Sequence, residues 1–209
     1  MIIGHFIKRI ELKYKNYYFS GICFDSSKCK KDNIFFAIKG TKINGDKFIS
    51  HAIKKGAKII ISNQKYEGLK KNILFIRSFN VRKSLSEFAY TIYKDKPKNI
   101  IAVTGTNGKS SVADFYFQIL RLNKKKVASI GTLGVKTQNY IKKISNTTID
   151  PITLSNVLNK LKRERINDVI IEASSHGLKQ NRLDGLEFKT GIFTNLSHDH
   201  LDYHKTFND

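Results

Sequence analysis

The sequence predicts an α/β protein of two units, a small α/β unit followed by a mostly parallel sheet that opens on a phosphate-binding loop. Three observations predict it. Short aliphatic runs alternate with helical patterns along the chain, the runs of the second half read as continuous aliphatic strands, and "GTNGKS" at 105 to 110 stands between a strand and a helix. At 209 residues and 40% hydrophobic, the chain can bury one large or two smaller cores, and two is the reading adopted.

The elements follow in order. "FFAIKG" at 35 to 40 is a strand, and "TKINGDKFISHAIKKGAKIIIS" at 41 to 62 reads as a Gly-containing loop, an amphipathic helix and a second strand. "ILFIR" at 73 to 77 adds a strand. In 81 to 95, Leu85, Phe88, Ala89 and Ile92 fall at helical spacing, and Pro97 stops that helix in "KPKN". This charged, Pro-containing stretch sets a boundary, giving units 1–97 and 98–209. The second unit reads "IIAVT" strand, "SSVADFYFQILRLN" helix, "VASIG" strand, "PITLSNVLNKLKRERI" helix, "DVIIEA" strand and "TGIFTN" strand. Such an alternation predicts four parallel strands with helices on both faces.

The formal charge is +21, which attracts nucleic acid, an anionic membrane surface or a phosphorylated small molecule. The lysines are scattered with Asn and Ile and form no Arg-rich arm, so a solvated surface is preferred over nucleic-acid binding. No 18-residue apolar run occurs, and "MIIGHFIKRIELKYK" carries charges within its apolar stretch, so neither a transmembrane span nor a signal peptide is expected. Cys23 and Cys29 are too far apart for a CxxC pair and too few for a disulfide framework. Reduced thiols in a cytoplasmic protein are expected.

In the phosphate loop Gly105 and Gly108 permit tight turning, Lys109 offers a point charge to terminal phosphates, and the Ser110 hydroxyl can ligate Mg²⁺. Only Thr106 and Asn107 separate the glycines, a shortening of the standard G-x-x-x-x-G-K-[ST] pattern. Glu172 closes the strand "DVIIEA", at the end of a parallel strand where open α/β sheets bind ligands; a solvated strand-end carboxylate is the bland alternative. His198, His200 and His204 in "SHDHLDYH" could suggest zinc, though the ligand spacing is unlike that of ordinary zinc sites. Before Pro151, either Thr148 or Asp150 can cap the coming helix.

"VTGTNGKSS" resembles the nucleotide loop of the Mur ligase superfamily, whose members activate a carboxylate with ATP and couple it to an amine. "NTTIDP" at 146 to 151, "EASSHGLKQNRLDG" at 172 to 185 and "FTNLSHDHLDYH" at 193 to 204 narrow the resemblance to the UDP-N-acetylmuramoyl-tripeptide synthetases. "FDSSKCKKDNIFFAIKGTKINGDKFI" at 24 to 49 resembles the uridine-binding domain of the same family.

The resemblance implies a uridine-binding domain over 1–97 and the first part of a central ATP-binding domain over 98–209. It implies peptidoglycan-precursor synthesis in the cytoplasm, in which a diamino acid, meso-diaminopimelate or L-lysine, is added to UDP-N-acetylmuramoyl-L-alanyl-D-glutamate through an acyl phosphate. ATP is the co-substrate and Mg²⁺ the cofactor. Gly105, Thr106, Asn107, Gly108, Lys109, Ser110 and Ser111 would bind ATP, and Lys109, Glu172 and His200 would be catalytic. Ser110 and Glu172 would ligate one Mg²⁺, with His200 on a second. Asn146, Thr147, Thr148, Ser174, Gln180 and Arg182 would contact the muramoyl peptide, and Phe24, Ser26, Thr41, Lys42 and Ile43 the uracil end. The uridine pattern departs from the family at Ser27, where an Arg is common, and at "DNIF", where Gly-Asp precedes the apolar pair.

In that family a carbamylated lysine follows the His200 motif, and Lys205 falls too early to match it. An amino-terminal fragment lacking the amino-acid-selecting domain, inactive alone, is therefore expected. A non-catalytic nucleotide or UDP-sugar binding remnant is the alternative, and a nucleic-acid-binding protein would explain the charge but not the motifs after residue 145.

Overall fold

The computed structural model describes residues 1–8, 10–40, 43–197, 203 and 206. It contains two compact units, Met1–Thr91 and Ile92–Asp209.

The first unit is built on a five-stranded sheet of order β1-β2-β3-β5-β4, from β1 (Gly21–Cys23), β2 (Asn33–Phe36), β3 (Ile59–Ser62), β4 (Gly68–Lys70) and β5 (Ile73–Arg77). Only β4 runs antiparallel to its neighbour. β2 and β3 are buried at every position, the polar Asn33 and Ser62 at their ends included, as strands covered on both faces are. Among the described residues, two α-helices accompany this sheet, the short α1 (Ile49–Lys54) and α2 (Val81–Ile92). α2 buries Leu85, Phe88 and Ala89 of the stripe its periodicity marks, with Val81 beside them, while Ile92 at its end is partly exposed. Phe88 stacks on Phe6 at 4.9 Å between ring centroids and meets Phe36 edge-on at 5.3 Å. Truncating it to Ala would cost about 3–5 kcal/mol.

Cys23 and Cys29 correct the expectation of free thiols: they are joined as a disulfide, with Cα atoms 5.8 Å apart. A 3-10 turn at Ser26–Lys28, capped by Asp25, folds the chain back between them. Spacing rules that look for CxxC do not register such a turn.

The second unit carries a six-stranded sheet of order β11-β6-β10-β7-β8-β9. β6 (Asn99–Thr104), β7 (Val127–Gly131), β10 (Asp168–Glu172) and β11 (Thr190–Phe193) are the four expected parallel strands. β8 (Gly134–Lys136) and β9 (Ile141–Lys142) extend the sheet as antiparallel additions that periodicity did not reveal. Two residues, Thr132 and Leu133, turn the chain from β7 into β8 between the paired Gly131 and Gly134.

This unit includes the helices α3 (Lys109–Leu122), α4 (Pro151–Arg163) and α5 (Ser175–Lys179). Asp150, not Thr148, caps α4, accepting from the Thr153 N–H at 3.0 Å, with Pro151 in the first turn. Among the described residues β11 pairs on one side only, and Phe193 is 64% exposed.

Register brings the functional ends together. Glu172 pairs with Val103 of β6, and Ile171 with Ile130 of β7. The carboxyl ends of β6, β10 and β7 therefore lie side by side, the edge at which open α/β sheets take ligands.

Candidate functional site

The phosphate loop turns on two glycines in the left-handed half of conformational space, Gly105 (φ 134°) and Gly108 (φ 84°). An added Cβ at Gly105 would overlap the Thr194 side chain. Gly108 leads into α3, and no side chain caps that helix end, which leaves its first N–H groups directed at the loop. The Lys109 ammonium folds back over the loop and donates to the carbonyls of Gly105 at 2.6 Å and Thr106 at 2.7 Å.

The segment after β11 clasps this loop. Asn195 accepts from Thr106 N–H on its carbonyl at 2.9 Å and from Asn107 N–H on its side chain at 3.0 Å. Thr194 Oγ1 donates to the Asn107 carbonyl at 2.7 Å, and Ser197 N–H donates to Thr106 Oγ1 at 2.9 Å. Thr194, Asn195 and Ser197 had no role in the sequence reading, although they lie in a quoted motif. Their position just past a parallel strand was the available signal.

Glu172 is 2% exposed. Its carboxylate accepts from Ser110 Oγ at 2.9 Å, from the Thr132 N–H at 3.0 Å and from Thr132 Oγ1 at 3.1 Å. Gly131 makes room for it, since a Cβ there would overlap the carboxyl group. A buried carboxylate ringed by neutral hydroxyl and amide donors lacks a compensating charge in this set, and hard oxygen atoms suit Mg²⁺. Among the described residues no group of three His, Cys, Asp or Glu side chains could hold a metal.

Beside it, Thr148 is 1% exposed and turned inward. Its hydroxyl donates to the Glu172 carbonyl at 2.8 Å and accepts from the Ser174 N–H at 2.9 Å, bracing the end of β10. Ser174 in turn caps α5 by accepting from Gly177 N–H at 3.1 Å. Asn146 is exposed and Thr147 half-buried. Arg182 donates from Nη1 to the Thr148 carbonyl and from Nη2 to Gln180 Oε1 at 2.8 Å. Burial pulls its guanidinium below the ordinary arginine range, while Asp150 and Tyr203 act in the opposite sense. Gln180 Nε2 donates to the Tyr203 hydroxyl at 3.2 Å, and the Tyr203 ring lies 4.1 Å from that of His176.

In the first unit, the loop between the two cysteines carries Phe24, 40% exposed, and Ser26, 8% exposed. His51 Nδ1 of α1 lies 2.9 Å from Ser26 Oγ, a partner the sequence reading missed. Two hydrogen bonds from Ser27 hold the Asp25 carboxyl below its ordinary range. Asp32 adopts φ 61°, taking the left-handed conformation despite having a side chain. Ile43 is exposed. Thr41, Lys42 and His200 lie outside the described residues, as do His198 and His204.

Residues 103–209 match the Mur ligase middle domain, and residues 18–93 match the Mur ligase family catalytic domain. The chain belongs to the Mur ligase family. It is 42% identical over 195 residues to the UDP-N-acetylmuramoyl-L-alanyl-D-glutamate--2,6-diaminopimelate ligase of Buchnera aphidicola subsp. Schizaphis graminum, covering 90% of this chain and 39% of that Mur ligase. To the enzyme of the same name from Rickettsia prowazekii it is 40% identical, covering 92% of this chain and 41% of the relative. A solved structure of a ligase of this name superposes with a TM-score of 0.83 at 28% identity, over 100% of this chain and 42% of that one. The MurF ligase of Thermotoga maritima, solved in complex with ADP, shares the fold at a TM-score of 0.57 and 16% identity, over 90% of this chain and 40% of that one. The chain thus spans about two fifths of the length of these Mur ligases. The α/β expectation and the family resemblance both hold. Among the described residues no helix is long and apolar enough to cross a membrane.

Proposed function

We propose that this chain carries the uridine-binding and ATP-binding parts of a cytoplasmic ligase that adds 2,6-diaminopimelate to UDP-N-acetylmuramoyl-L-alanyl-D-glutamate. The observation that carries the reading is the carboxylate seat beside the phosphate loop, where Ser110 and Thr132 converge on buried Glu172. The names of the relatives favour diaminopimelate over lysine as the incoming amino acid.

In this reading Gly105 to Ser111 take the ATP phosphates, and Lys109 exchanges its loop carbonyls for the β- and γ-phosphate oxygens. Ser110 and Glu172 hold Mg²⁺, with His200 on a second ion; bound Mg²⁺ neutralises phosphate charge. The D-glutamyl carboxylate attacks the γ-phosphorus and ADP leaves. The diaminopimelate amine then attacks the acyl carbon and expels phosphate. The chain contributes alignment and charge placement more than covalent chemistry.

Asn146, Thr147, Thr148, Ser174, Gln180 and Arg182 hold the muramoyl peptide, Thr148 through its bracing of the strand end and Arg182 through its planar fork. Phe24, Ser26, Thr41, Lys42 and Ile43 hold the uracil end, within a uridine-binding domain over 1–97 that precedes the ATP-binding domain.

Calorimetric titration of the folded chain with Mg-ATP, and separately with UDP-N-acetylmuramoyl-L-alanyl-D-glutamate, tests this. Binding of both, with Mg-ATP weakened in Lys109→Ala and the UDP-sugar weakened in Arg182→Ala, is expected. A folded chain that takes neither ligand would sink the reading.

A further inference from the structure

Thr132 is the point where two parts of the second unit meet. Its N–H and its hydroxyl reach different oxygens of Glu172, at 3.0 Å on Oε1 and 3.1 Å on Oε2, so one residue fixes the plane of the carboxylate. The same hydroxyl lies 3.0 Å from Thr147 Oγ1. It does so from a two-residue turn pinned between Gly131 and Gly134, the latter at φ 100°. The turn is therefore a short, fixed arm that places Thr132 over the end of β10.

Proton counting sets the direction of this chain of hydroxyls. An ionised carboxylate only accepts, and a hydroxyl has a single proton. Thr132 Oγ1 donates to Glu172, so the Thr147 hydroxyl must donate to Thr132. Thr147 then turns only lone pairs toward solvent, and a ligand group meeting it has to be a donor, such as an amide N–H or a sugar hydroxyl.

We propose that Thr132 is a positioning residue that locks Glu172 for the cation and, through the same hydroxyl, sets Thr147 as a hydrogen-bond acceptor for the peptide-bearing substrate. The proposal rests on the functional reading above and deepens it, because it ties the nucleotide side of the site to the substrate side through one side chain. Loss of that hydroxyl leaves Glu172 Oε2 to Ser110 alone, which loosens the carboxylate, and lets Thr147 keep its proton for other partners. Both ligands should feel the change, although Thr132 itself need touch neither.

The test uses the 209-residue chain, its Thr132→Val variant, which keeps size and the backbone N–H, and Thr132→Ser, which restores the hydroxyl. Each is titrated calorimetrically with ATP in the presence and absence of Mg²⁺, and with UDP-N-acetylmuramoyl-L-alanyl-D-glutamate, after a melting curve. Thr132→Val is expected to weaken Mg²⁺-dependent ATP binding roughly tenfold, as removal of groups supporting metal ligands does, and to leave Mg²⁺-free ATP binding unchanged. Thr132→Ser should recover most of it. For the UDP-sugar, Thr132→Val and Thr147→Val should be non-additive in a double-mutant cycle, because each breaks the same link.

Wild-type affinities in Thr132→Val, no recovery in Thr132→Ser, or strict additivity with Thr147→Val would each overturn the proposal while wild-type binding leaves the ligase reading standing. Absence of binding by the folded wild-type chain would remove both together.

Discussion

Ser110 Oγ donates to Glu172 Oε2 across 2.9 Å, joining the first turn of α3 to the last residue of β10 over 62 positions of sequence. A helix start and a strand end thereby share a hard oxygen site. Glu172→Gln removes the charge and Ser110→Ala the hydroxyl. Each should weaken Mg²⁺-dependent ATP binding about 10- to 100-fold while barely changing binding without the metal. Titrations at several Mg²⁺ concentrations read this directly, and an unchanged metal dependence would place the cation elsewhere.

Lys109 holds the loop closed upon itself through two carbonyls. Lys109→Met keeps the aliphatic stem but loses the charge. ATP affinity should fall roughly 10- to 100-fold, the range for a charge-assisted hydrogen bond of about 1.5–3 kcal/mol. The melting temperature should change little, because Asn195 still clasps the loop. A large loss of stability would mean that the ammonium is chiefly structural.

Arg182 joins Thr148 and Gln180 from a half-buried position. Arg182→Lys preserves charge and loses the fork, so it should behave much as Arg182→Ala does. Both should lower stability by about 1–3 kcal/mol and weaken UDP-N-acetylmuramoyl-dipeptide binding. Chemical denaturation and calorimetry separate the two effects, and a lysine variant indistinguishable from wild type would refute the planar role.

Cys23 and Cys29 bracket Phe24 and Ser26. Reducing the disulfide should lower the melting temperature, with a contribution of about 2 kcal/mol from so short a loop. Ser26 should lose rigidity with it, and UDP-sugar affinity should fall with added reductant in wild type but not in a Cys23→Ser/Cys29→Ser chain. Intact mass after alkylation reports the thiol state. Two alkylated cysteines in the unreduced, oxidised preparation would contradict the bridge.

Asp114 accepts from Lys136 at 2.6 Å, and this bond, followed by that from Gln118, holds its carboxyl below the ordinary range despite some burial. A depressed carboxylate stabilises the fold above its unfolded pKa, near 3.9, and that contribution disappears as pH falls through the folded value. Asp114→Asn should therefore cost roughly 0.5–1 kcal/mol at neutral pH and flatten the acid limb of a stability curve between about pH 5 and 2. Parallel acid limbs in the two proteins would rule the pair out as a contributor.

The chain by itself determined the parts whose signal is local. β5 and β7 fall where aliphatic runs were read, α2 and α3 where helical segments were read, and the glycines of 105 to 108 announce a loop that needs positive φ. The family resemblance was likewise carried by short motifs. Tertiary structure alone decided what meets across the chain. Thr132 reaches Glu172 over 40 residues, Asn195 reaches Asn107 over 88, and His51 reaches Ser26 over 25. Periodicity reports which face of an element is buried, because burial repeats with the backbone. Strand order, register and turn geometry set which polar atoms converge, and those depend on pairings between distant segments that no local window contains.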